Sequence, residues 1–188
     1  MDSATARGPL PRRIWIVGPS GSGKSTLARR LAAHLRVEAT SLDDLHWEPG
    51  WVERPISDLV ARLDPIVAGP VWVVEGNYNE TQRHHLPTAD LVVWLDVPLA
   101  TAVTRVILRT LDRARRGTPC CNGNRETLAR AFLRRDSIIL WAITSHRRNR
   151  RRYVARLAHR PHVRLRTPHA VERWLASAGV EATRPRGS

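Results

Sequence analysis

Residues 18–25 read Gly-Pro-Ser-Gly-Ser-Gly-Lys-Ser, which matches the pattern G-x-x-x-x-G-K-[ST] in full. Glycines allow the backbone N–H groups of such a loop to turn inward around an anion. A short apolar segment, residues 12–17, precedes the loop, and Leu27, Leu31 and Leu35 form a helical stripe after it. The positive end of that helix dipole would face the same anion. This stretch, called the phosphate loop below, therefore predicts a strand, a phosphate-binding turn and a helix.

The basic residue of the phosphate loop is the only lysine in a chain that has 31 lysines and arginines together. A compact ammonium group fits between β- and γ-phosphates, whereas a guanidinium is planar and bulky. We expect Lys24 to neutralise those phosphates and the Ser25 hydroxyl to bind Mg²⁺. The predicted ligands are ATP and Mg²⁺, and the predicted nucleotide-binding residues are Gly18, Pro19, Ser20, Gly21, Ser22, Gly23, Lys24, Ser25 and Thr26.

A second acidic group is expected at the end of a neighbouring strand, where it would hold a water molecule on the metal. Glu75 follows the apolar residues 71–74, and Asp96 follows the apolar residues 91–95. We favour Glu75 as the metal-binding residue, because Glu75-Gly76-Asn77-Tyr78 is typical of a loop at a strand end. For Asp96, a structural role at the strand end or as a helix cap is an equal alternative.

The pattern of apolar segments along the chain predicts an α/β fold. Five short apolar segments, at residues 12–17, 37–41, 71–74, 91–95 and 163–166, alternate with segments of helical periodicity. Such alternation predicts a three-layer P-loop NTPase domain with a five-stranded parallel sheet and helices on both faces. A chain of 188 residues accommodates one such domain. We place it at residues 12–179, between disordered tails at 1–11 and 180–188.

Composition sets limits on location and partners. No apolar run approaches the ~20 residues that span a bilayer, and no signal peptide is evident, so a cytoplasmic protein is expected. The neighbouring Cys120 and Cys121 could not bridge each other without strain and are interpreted as incidental thiols. The net charge of +14 attracts polyanions such as nucleic acid, although a codon bias towards arginine would produce the same charge.

A basic block near the C-terminus has two open interpretations. It could bind the phosphates of a nucleic acid, or it could be the solvated face of a helix. Helical geometry is expected to spread its arginines around the axis, and no helix-turn-helix, zinc-finger or RRM pattern accompanies them. The candidate nucleic-acid contacts are Arg147, Arg148, Arg150, Arg151 and Arg152.

The phosphate loop, the run Leu95-Asp96-Val97-Pro98 and the spacing of Arg105 and Arg109 together resemble the adenylate kinase-type P-loop kinases. The resemblance implies that Arg105 packs on the nucleotide base and that Arg109 contacts phosphates as a catalytic residue; two surface arginines of a helix are the alternative. It also implies an arginine-rich helical lid at about residues 109–135. Its arginines, of which Arg113 and Arg125 are additional candidates for stabilising the transferred phosphoryl group, are Arg109, Arg113, Arg115, Arg116, Arg125, Arg134 and Arg135.

The run Asp43-Asp44-Leu45-His46 is similar to the D-x-L-H of gluconate-type kinases. The resemblance implies that an aspartate contacts the acceptor and orients its hydroxyl or takes its proton. Asp43 is our first choice as this catalytic residue and Asp44 the second, with a helix cap as the alternative role for either. Trp47, Trp51 and Tyr78 flank these loops and could stack on a base or sugar, or belong to the core.

A narrower resemblance covers most of residues 13–175. Residues 42–51, 75–78 and 122–126 look like those of bacterial proteins identified as DNA topology modulation proteins or adenylate kinase-related P-loop proteins. The Phe-Pro-Arg of a monophosphate site and a lid with a zinc-type cysteine set are both missing, which argues against AMP as the acceptor. The expected function is ATP- and Mg²⁺-dependent phosphoryl transfer to an unidentified small molecule, with nucleotides and nucleosides as candidates. A nucleic-acid-binding P-loop ATPase or polynucleotide kinase is the alternative.

Overall fold

A computed structural model describes residues 10–125 and 138–180, and its centre is a sheet of five parallel strands. Its strands are β1 (Arg13–Val17), β2 (Ala39–Ser41), β5 (Trp72–Glu75), β6 (Leu91–Leu95) and β9 (His162–Leu165). Their order in the sheet is β2-β5-β1-β6-β9, so the first strand lies in the middle. The five-stranded parallel sheet predicted from the apolar segments is therefore confirmed.

Seven helices of the described chain surround this sheet, and a 3-10 turn at Leu86–Thr88 follows the fourth of them. The two shortest, of five and seven residues, were not predicted, because so few residues carry no readable periodicity. The helices are α1 (Lys24–Leu35), α2 (Leu42–His46), α3 (Ile56–Val67), α4 (Asn79–His85), α5 (Leu99–Arg116), α6 (Ile138–Leu157) and α7 (Pro168–Ser177).

The sheet separates two apolar layers, because successive side chains of a strand point to opposite faces. Ile14 and Ile16 of β1 face a layer that contains residues of α1 and α7. Trp15 and Val17 face the other layer, which contains residues of α3 and α6. Burial on both faces explains why the strands read as continuous apolar runs. The arrangement is the three-layer α/β architecture expected from the sequence.

Two small antiparallel hairpins lie outside the main sheet. The first pairs β3 (Trp47–Glu48) with β4 (Val52–Glu53), and the second pairs β7 (Pro119–Cys120) with β8 (Asn124–Arg125). Asn124 of the second hairpin is a buried strand residue. The predicted lid region thus consists of the end of α5 and a hairpin up to residue 125, rather than of helix alone.

Several predictions lie outside the described residues. They concern Glu126, Arg134, Arg135 and most of the two predicted tails. The domain bounds 12–179 therefore stay a prediction. Within residues 10–125 and 138–180, no helix combines the length and the apolar character that a bilayer-spanning helix needs.

Candidate nucleotide and acceptor site

The phosphate loop connects β1 to α1 and packs tightly against its neighbours. A Cβ atom added to Gly18 would lie 2.6 Å from the carbonyl oxygen of Leu95, and one added to Gly21 would lie 2.4 Å from that of Ala102. Both distances are too short for any side chain, so glycine is required where the loop meets the end of β6 and the first turn of α5. The Lys24 ammonium donates a hydrogen bond to the Pro19 carbonyl oxygen at 3.1 Å, and so bends over the loop.

The structure brings together the two residues that the sequence assigned to the metal. The Ser25 hydroxyl donates a hydrogen bond of 2.7 Å to Oε1 of Glu75, whose residue is only 4% exposed at the end of β5. Mg²⁺ prefers oxygen ligands and usually retains several water molecules beside one or two carboxylates. The described residues contain no group of three or more His, Cys, Asp or Glu placed to hold a metal. This pair therefore fits a metal that takes its remaining ligands from phosphates and water.

Asp96, the alternative metal-binding residue, is occupied by arginines. It lies at the end of β6, is 7% exposed, and forms ion pairs with Arg150 at 3.2 Å, Arg164 at 2.5 Å and Arg166 at 3.4 Å. A metal ion here would have to displace or approach three cations. The geometry therefore favours Glu75 as the metal-binding residue and a structural role for Asp96.

Asn77 forms hydrogen bonds with the backbone of the phosphate loop, a contact that the sequence did not predict. Its side chain accepts a hydrogen bond from the Gly18 N–H at 3.2 Å and donates one to the Gly18 carbonyl at 2.6 Å. The Tyr153 hydroxyl of α6 donates to the same amide oxygen at 2.8 Å. Gln82 extends this buried network by donating to the Gly76 carbonyl and to the Tyr153 hydroxyl, both at 3.2 Å. Only the run of polar residues after Glu75 hinted at this arrangement.

The candidate acceptor side begins one strand away from Glu75. Ser41 of β2 pairs with Glu75, and Asp43 and Asp44 follow in the first turn of α2. The Tyr78 hydroxyl donates to Oδ1 of Asp43 at 3.0 Å. Burial and then the charge of Asp43 raise the pKa of Tyr78, so the phenol stays protonated and orients the carboxylate. Asp43 itself is exposed and free to approach an acceptor hydroxyl.

The second aspartate has a different environment from the first. Partial burial, followed by the neighbouring charge of Asp43, raises the pKa of Asp44, and a backbone hydrogen bond from Asn122 opposes the rise. Asp43, in contrast, is oriented by the Tyr78 hydroxyl, which favours it as the candidate base.

Aromatic rings form one wall beside Asp43. The ring centroid of His46 lies 4.7 Å from that of Tyr78 and 5.1 Å from that of Trp47, which in turn lies 5.5 Å from that of Trp51. His46 is buried, whereas Trp47 and Trp51 are half-buried. Trp47 and Trp51, backed by the buried His46, therefore form a wall on which the planar part of a ligand could stack.

Hydrogen bonds hold the β3–β4 hairpin to the β7–β8 hairpin. The Asn124 amide, 4% exposed, accepts a bond from the Trp51 backbone N–H and donates one to the Glu48 carbonyl, both at 2.8 Å. Asn122 adds a bond of 3.2 Å to the Trp47 carbonyl. The predicted lid is thereby attached to the aromatic wall of the acceptor side. Beside it, the hydrogen bond with Cys120 and burial raise the pKa of Cys121, which keeps this thiol protonated.

The two arginines carried over from the adenylate kinase resemblance lie on one face of α5. Arg105 is half-buried and Arg109 is exposed one turn further on. Arg105 follows Ala102 by three residues, and Ala102 touches the phosphate loop at Gly21. In the described part of the chain neither guanidinium has a carboxylate partner within ion-pair distance. Their roles at base and phosphates stay predictions, as do those of Arg113 near the end of α5 and of the exposed Arg125.

Comparison with known proteins identifies the family. No protein-family profile matches the chain. A shikimate kinase of Shewanella putrefaciens is 30% identical over 135 residues, which cover 62% of this chain and 75% of the relative. The chain belongs to the P-loop kinases related to shikimate kinase. The class of P-loop kinase predicted from the sequence is confirmed, whereas the adenylate kinase-like subtype stays a prediction.

Other relatives match this P-loop kinase over shorter lengths. A shikimate kinase of Actinobacillus succinogenes is 30% identical over 112 residues, 50% of this chain and 62% of the relative. The HslU ATPase subunit of a Bradyrhizobium strain is 38% identical over 65 residues, only 15% of its own length. The chain therefore spans less than two thirds of these relatives.

Solved structures share the fold of this kinase at low identity. Shikimate kinase from Acinetobacter baumannii, in complex with shikimate, superposes with a TM-score of 0.57 at 16% identity over 89% of this chain and 91% of that one. A gluconokinase from Sinorhizobium meliloti superposes with a TM-score of 0.53 at 16% identity over 92% and 94%. The topology around the phosphate loop is thus that of known small-molecule kinases.

Proposed function

We propose that this protein transfers a phosphoryl group from ATP·Mg²⁺ to a hydroxyl group of a small-molecule acceptor in the cytoplasm. The observation that carries the proposal is the 2.7 Å contact between Ser25 and Glu75 beside the phosphate loop, with Asp43 one strand away. Metal-binding groups and a candidate base thus share one edge of the sheet. Phosphoryl transfer depends mainly on such positioning and on charge stabilisation.

Each residue of the site has a role in this proposal. ATP·Mg²⁺ supplies the phosphoryl group, and Ser25 and Glu75 would hold the metal directly or through water. Lys24 would leave the Pro19 carbonyl to neutralise the β- and γ-phosphates. Arg105 would pack on the base, and Arg109 would stabilise charge on the transferred group. Asp43, oriented by Tyr78, would accept the proton of the acceptor hydroxyl.

The charges of Asp43 and Asp44 favour an acceptor molecule that is uncharged where it meets these two carboxylates. Asp43 and Asp44 are adjacent carboxylates, and the aromatic wall of His46, Trp47 and Trp51 lies beside them. A phosphate group placed against two carboxylates would be repelled, whereas hydroxyl groups would donate hydrogen bonds to them. We therefore propose a polyhydroxylated compound or a nucleoside rather than a nucleoside monophosphate. The finer assignment that we propose is the group of DNA topology modulation or adenylate kinase-related P-loop proteins, which residues 42–51, 75–78 and 122–126 resemble.

An acceptor screen tests this function. Purified protein with ATP and Mg²⁺ is mixed with nucleosides, nucleotides, sugars, sugar acids and shikimate, and ADP release is measured. We expect release that depends on one class of hydroxylated acceptor and falls at least about a hundredfold in the variant Lys24→Ala, whose folding is checked by circular dichroism. Equal, slow ADP release with every addition would exclude the kinase activity.

The paired variants Asp43→Asn and Asp44→Asn test the proposed base. Because Asp43 faces solvent and is oriented by Tyr78, Asp43→Asn should reduce kcat by about a hundredfold or more. Asp44→Asn should change kcat by much less, since this carboxyl contacts the backbone of Asn122. Equal effects of the two substitutions would contradict the assignment.

A further inference from the structure

Arginines line a groove between α6 and the edge strand β9. The groove has a volume of about 400 Å³ and is lined by Arg147, Arg150, Arg151, Val154, Arg164 and Arg166. The four residues from α6 recur at spacings of three and four, so they form one stripe on the helix. Three of the five arginines named in the basic block belong to this stripe, whereas Arg148 and Arg152 lie outside the groove, in line with the expected spread around the helix axis.

The arginines of this groove fall into two groups. Asp96 pairs with Arg150, Arg164 and Arg166, and the Arg164 guanidinium also stacks 4.4 Å from the ring centroid of Trp94. These contacts hold three guanidinium groups in place. Arg147 and Arg151, in contrast, are exposed and have no carboxylate partner among the described residues. Five guanidinium groups thus line the groove, and the one carboxylate that contacts them, Asp96, pairs with only three. This leaves a strong excess of positive charge.

The volume of the groove and the hydrogen bonds of two neighbouring arginines indicate a small ligand rather than a long nucleic acid. Arg152 donates to Asn79 at 2.6 Å, and Arg156 donates to Gln82 at 2.6 Å, both on the α4 side of α6. The positive surface therefore does not continue around the helix as a track for a long nucleic acid. A volume of about 400 Å³ instead falls within the range of sites for small molecules.

We propose that the arginine groove is a second anion site, which binds a compact oligophosphate of two or three linked phosphate groups. Residues three or four apart on a helix have Cβ atoms about 5–6 Å apart, so Arg147 and Arg151 can contact different phosphate groups of one chain. Arg150 on the same helix, and Arg164 and Arg166 on the β9 side, are held by Asp96 and supply further donors. Arginine binds phosphate oxygens through two parallel hydrogen bonds, which gives such a site both affinity and geometry.

Titration calorimetry with inorganic triphosphate tests the arginine groove. The protein is first saturated with ADP and Mg²⁺, so that the phosphate loop is filled and the proposed nucleotide site is measured separately. We then expect binding of one further triphosphate, which weakens as salt is added. The double substitution Arg147→Ala with Arg151→Ala should weaken this binding at least about tenfold, because charge-assisted hydrogen bonds are lost.

A matched control removes the same charge elsewhere. Arg62→Ala with Arg148→Ala replaces two exposed arginines that do not line the groove, and it should leave triphosphate affinity within about twofold. Absence of triphosphate binding in ADP-saturated protein would overturn the proposal. It would also be overturned if the two double variants lost affinity equally, or if a single-stranded 20-mer bound more tightly than triphosphate and required Arg148.

Discussion

Glu75 and Asp96 both end buried strands of the sheet, yet their neighbours give them different roles. A buried carboxylate is tolerated only where partners compensate its desolvation. Glu75 has the Ser25 hydroxyl as its partner, whereas Asp96 has three guanidinium groups. We therefore propose that the first carboxylate binds the cation and that the second positions the arginines.

The variants Glu75→Gln and Asp96→Asn should separate these two roles. An amide is a weaker ligand for Mg²⁺ than a carboxylate, so Glu75→Gln should raise the Mg²⁺ concentration for half-maximal activity by about tenfold or more. Asp96→Asn should leave that concentration unchanged and lower the free energy of unfolding by about 1–3 kcal/mol, since its arginine partners are partly exposed. Activity against Mg²⁺ and urea unfolding measure the two effects. Equal shifts in the Mg²⁺ requirement would contradict the assignment.

His85 should contribute to the pH dependence of stability. Its residue is 8% exposed, and burial lowers its pKa even though Asp64 lies 3.2 Å away. The unfolded chain therefore takes up this proton first as the pH falls below about 6.5, and stability is lost from there down through the lower pKa of the folded state. His85→Gln should reduce the loss of unfolding free energy between pH 7.5 and 5.5, measured in urea. The exposed His169→Gln is the control, and an unchanged loss in His85→Gln would contradict the prediction.

At the scale of elements, α6 supports the phosphate loop through a buried polar contact. Tyr153 is 3% exposed, burial raises its pKa to about 12, and its hydroxyl donates to Asn77, which holds both polar backbone groups of Gly18. Helix and loop are distant in sequence. The position of the nucleotide site therefore depends on how α6 packs over the sheet.

Substitutions at Asn77 and Tyr153 should have unequal effects. Asn77→Ala leaves the Gly18 backbone and the Tyr153 hydroxyl without this partner, so we expect a loss of about 1–3 kcal/mol in unfolding free energy and weaker ATP binding. Tyr153→Phe leaves the contact between Asn77 and Gly18 in place, and should cost about 1 kcal/mol with little change in ATP affinity. Calorimetry and urea unfolding provide both readouts. A larger loss of ATP affinity in Tyr153→Phe than in Asn77→Ala would refute this explanation.

At the scale of the whole molecule, the two small hairpins connect the acceptor side to the predicted lid. The Asn124 side chain contacts the backbone of both Trp51 and Glu48. Since the aromatic wall belongs to the first hairpin, its position depends on a segment more than 70 residues away in the chain. We therefore expect this contact to couple acceptor binding to the predicted lid.

The variant Asn124→Ala should affect the acceptor more than the nucleotide. Release of the β3–β4 hairpin should raise the KM of the acceptor by about tenfold, which corresponds to one or two lost hydrogen bonds, and leave the KM of ATP within about twofold. Asn122→Ala removes one exposed bond and should have a smaller effect. Steady-state kinetics with each substrate varied in turn provide the measurement. An equal rise in both KM values would indicate a general loss of structure instead.

The sequence by itself determined the α/β class, the five strands and the phosphate loop, because these depend on local patterns. Strand alternation, glycine spacing and the single lysine can each be recognised in a short stretch of sequence. The sequence also named Glu75 and Asp43 as candidates, since strand ends of a parallel sheet meet at one edge. It favoured Glu75 over Asp96 as the metal-binding residue, but it gave no sign that three arginines surround Asp96, because those arginines lie far away in the chain.

Tertiary structure alone decided which groups meet. Four contacts join residues that are far apart in the chain. They are the pairing of Ser25 with Glu75, the contact of Asn77 with Gly18, the hydrogen bonds of Asn124 between two hairpins, and the arginine stripe of α6 beside β9. Such contacts depend on strand order and on which side of the sheet each helix covers. These are properties of packing, which leaves no local periodicity in the sequence.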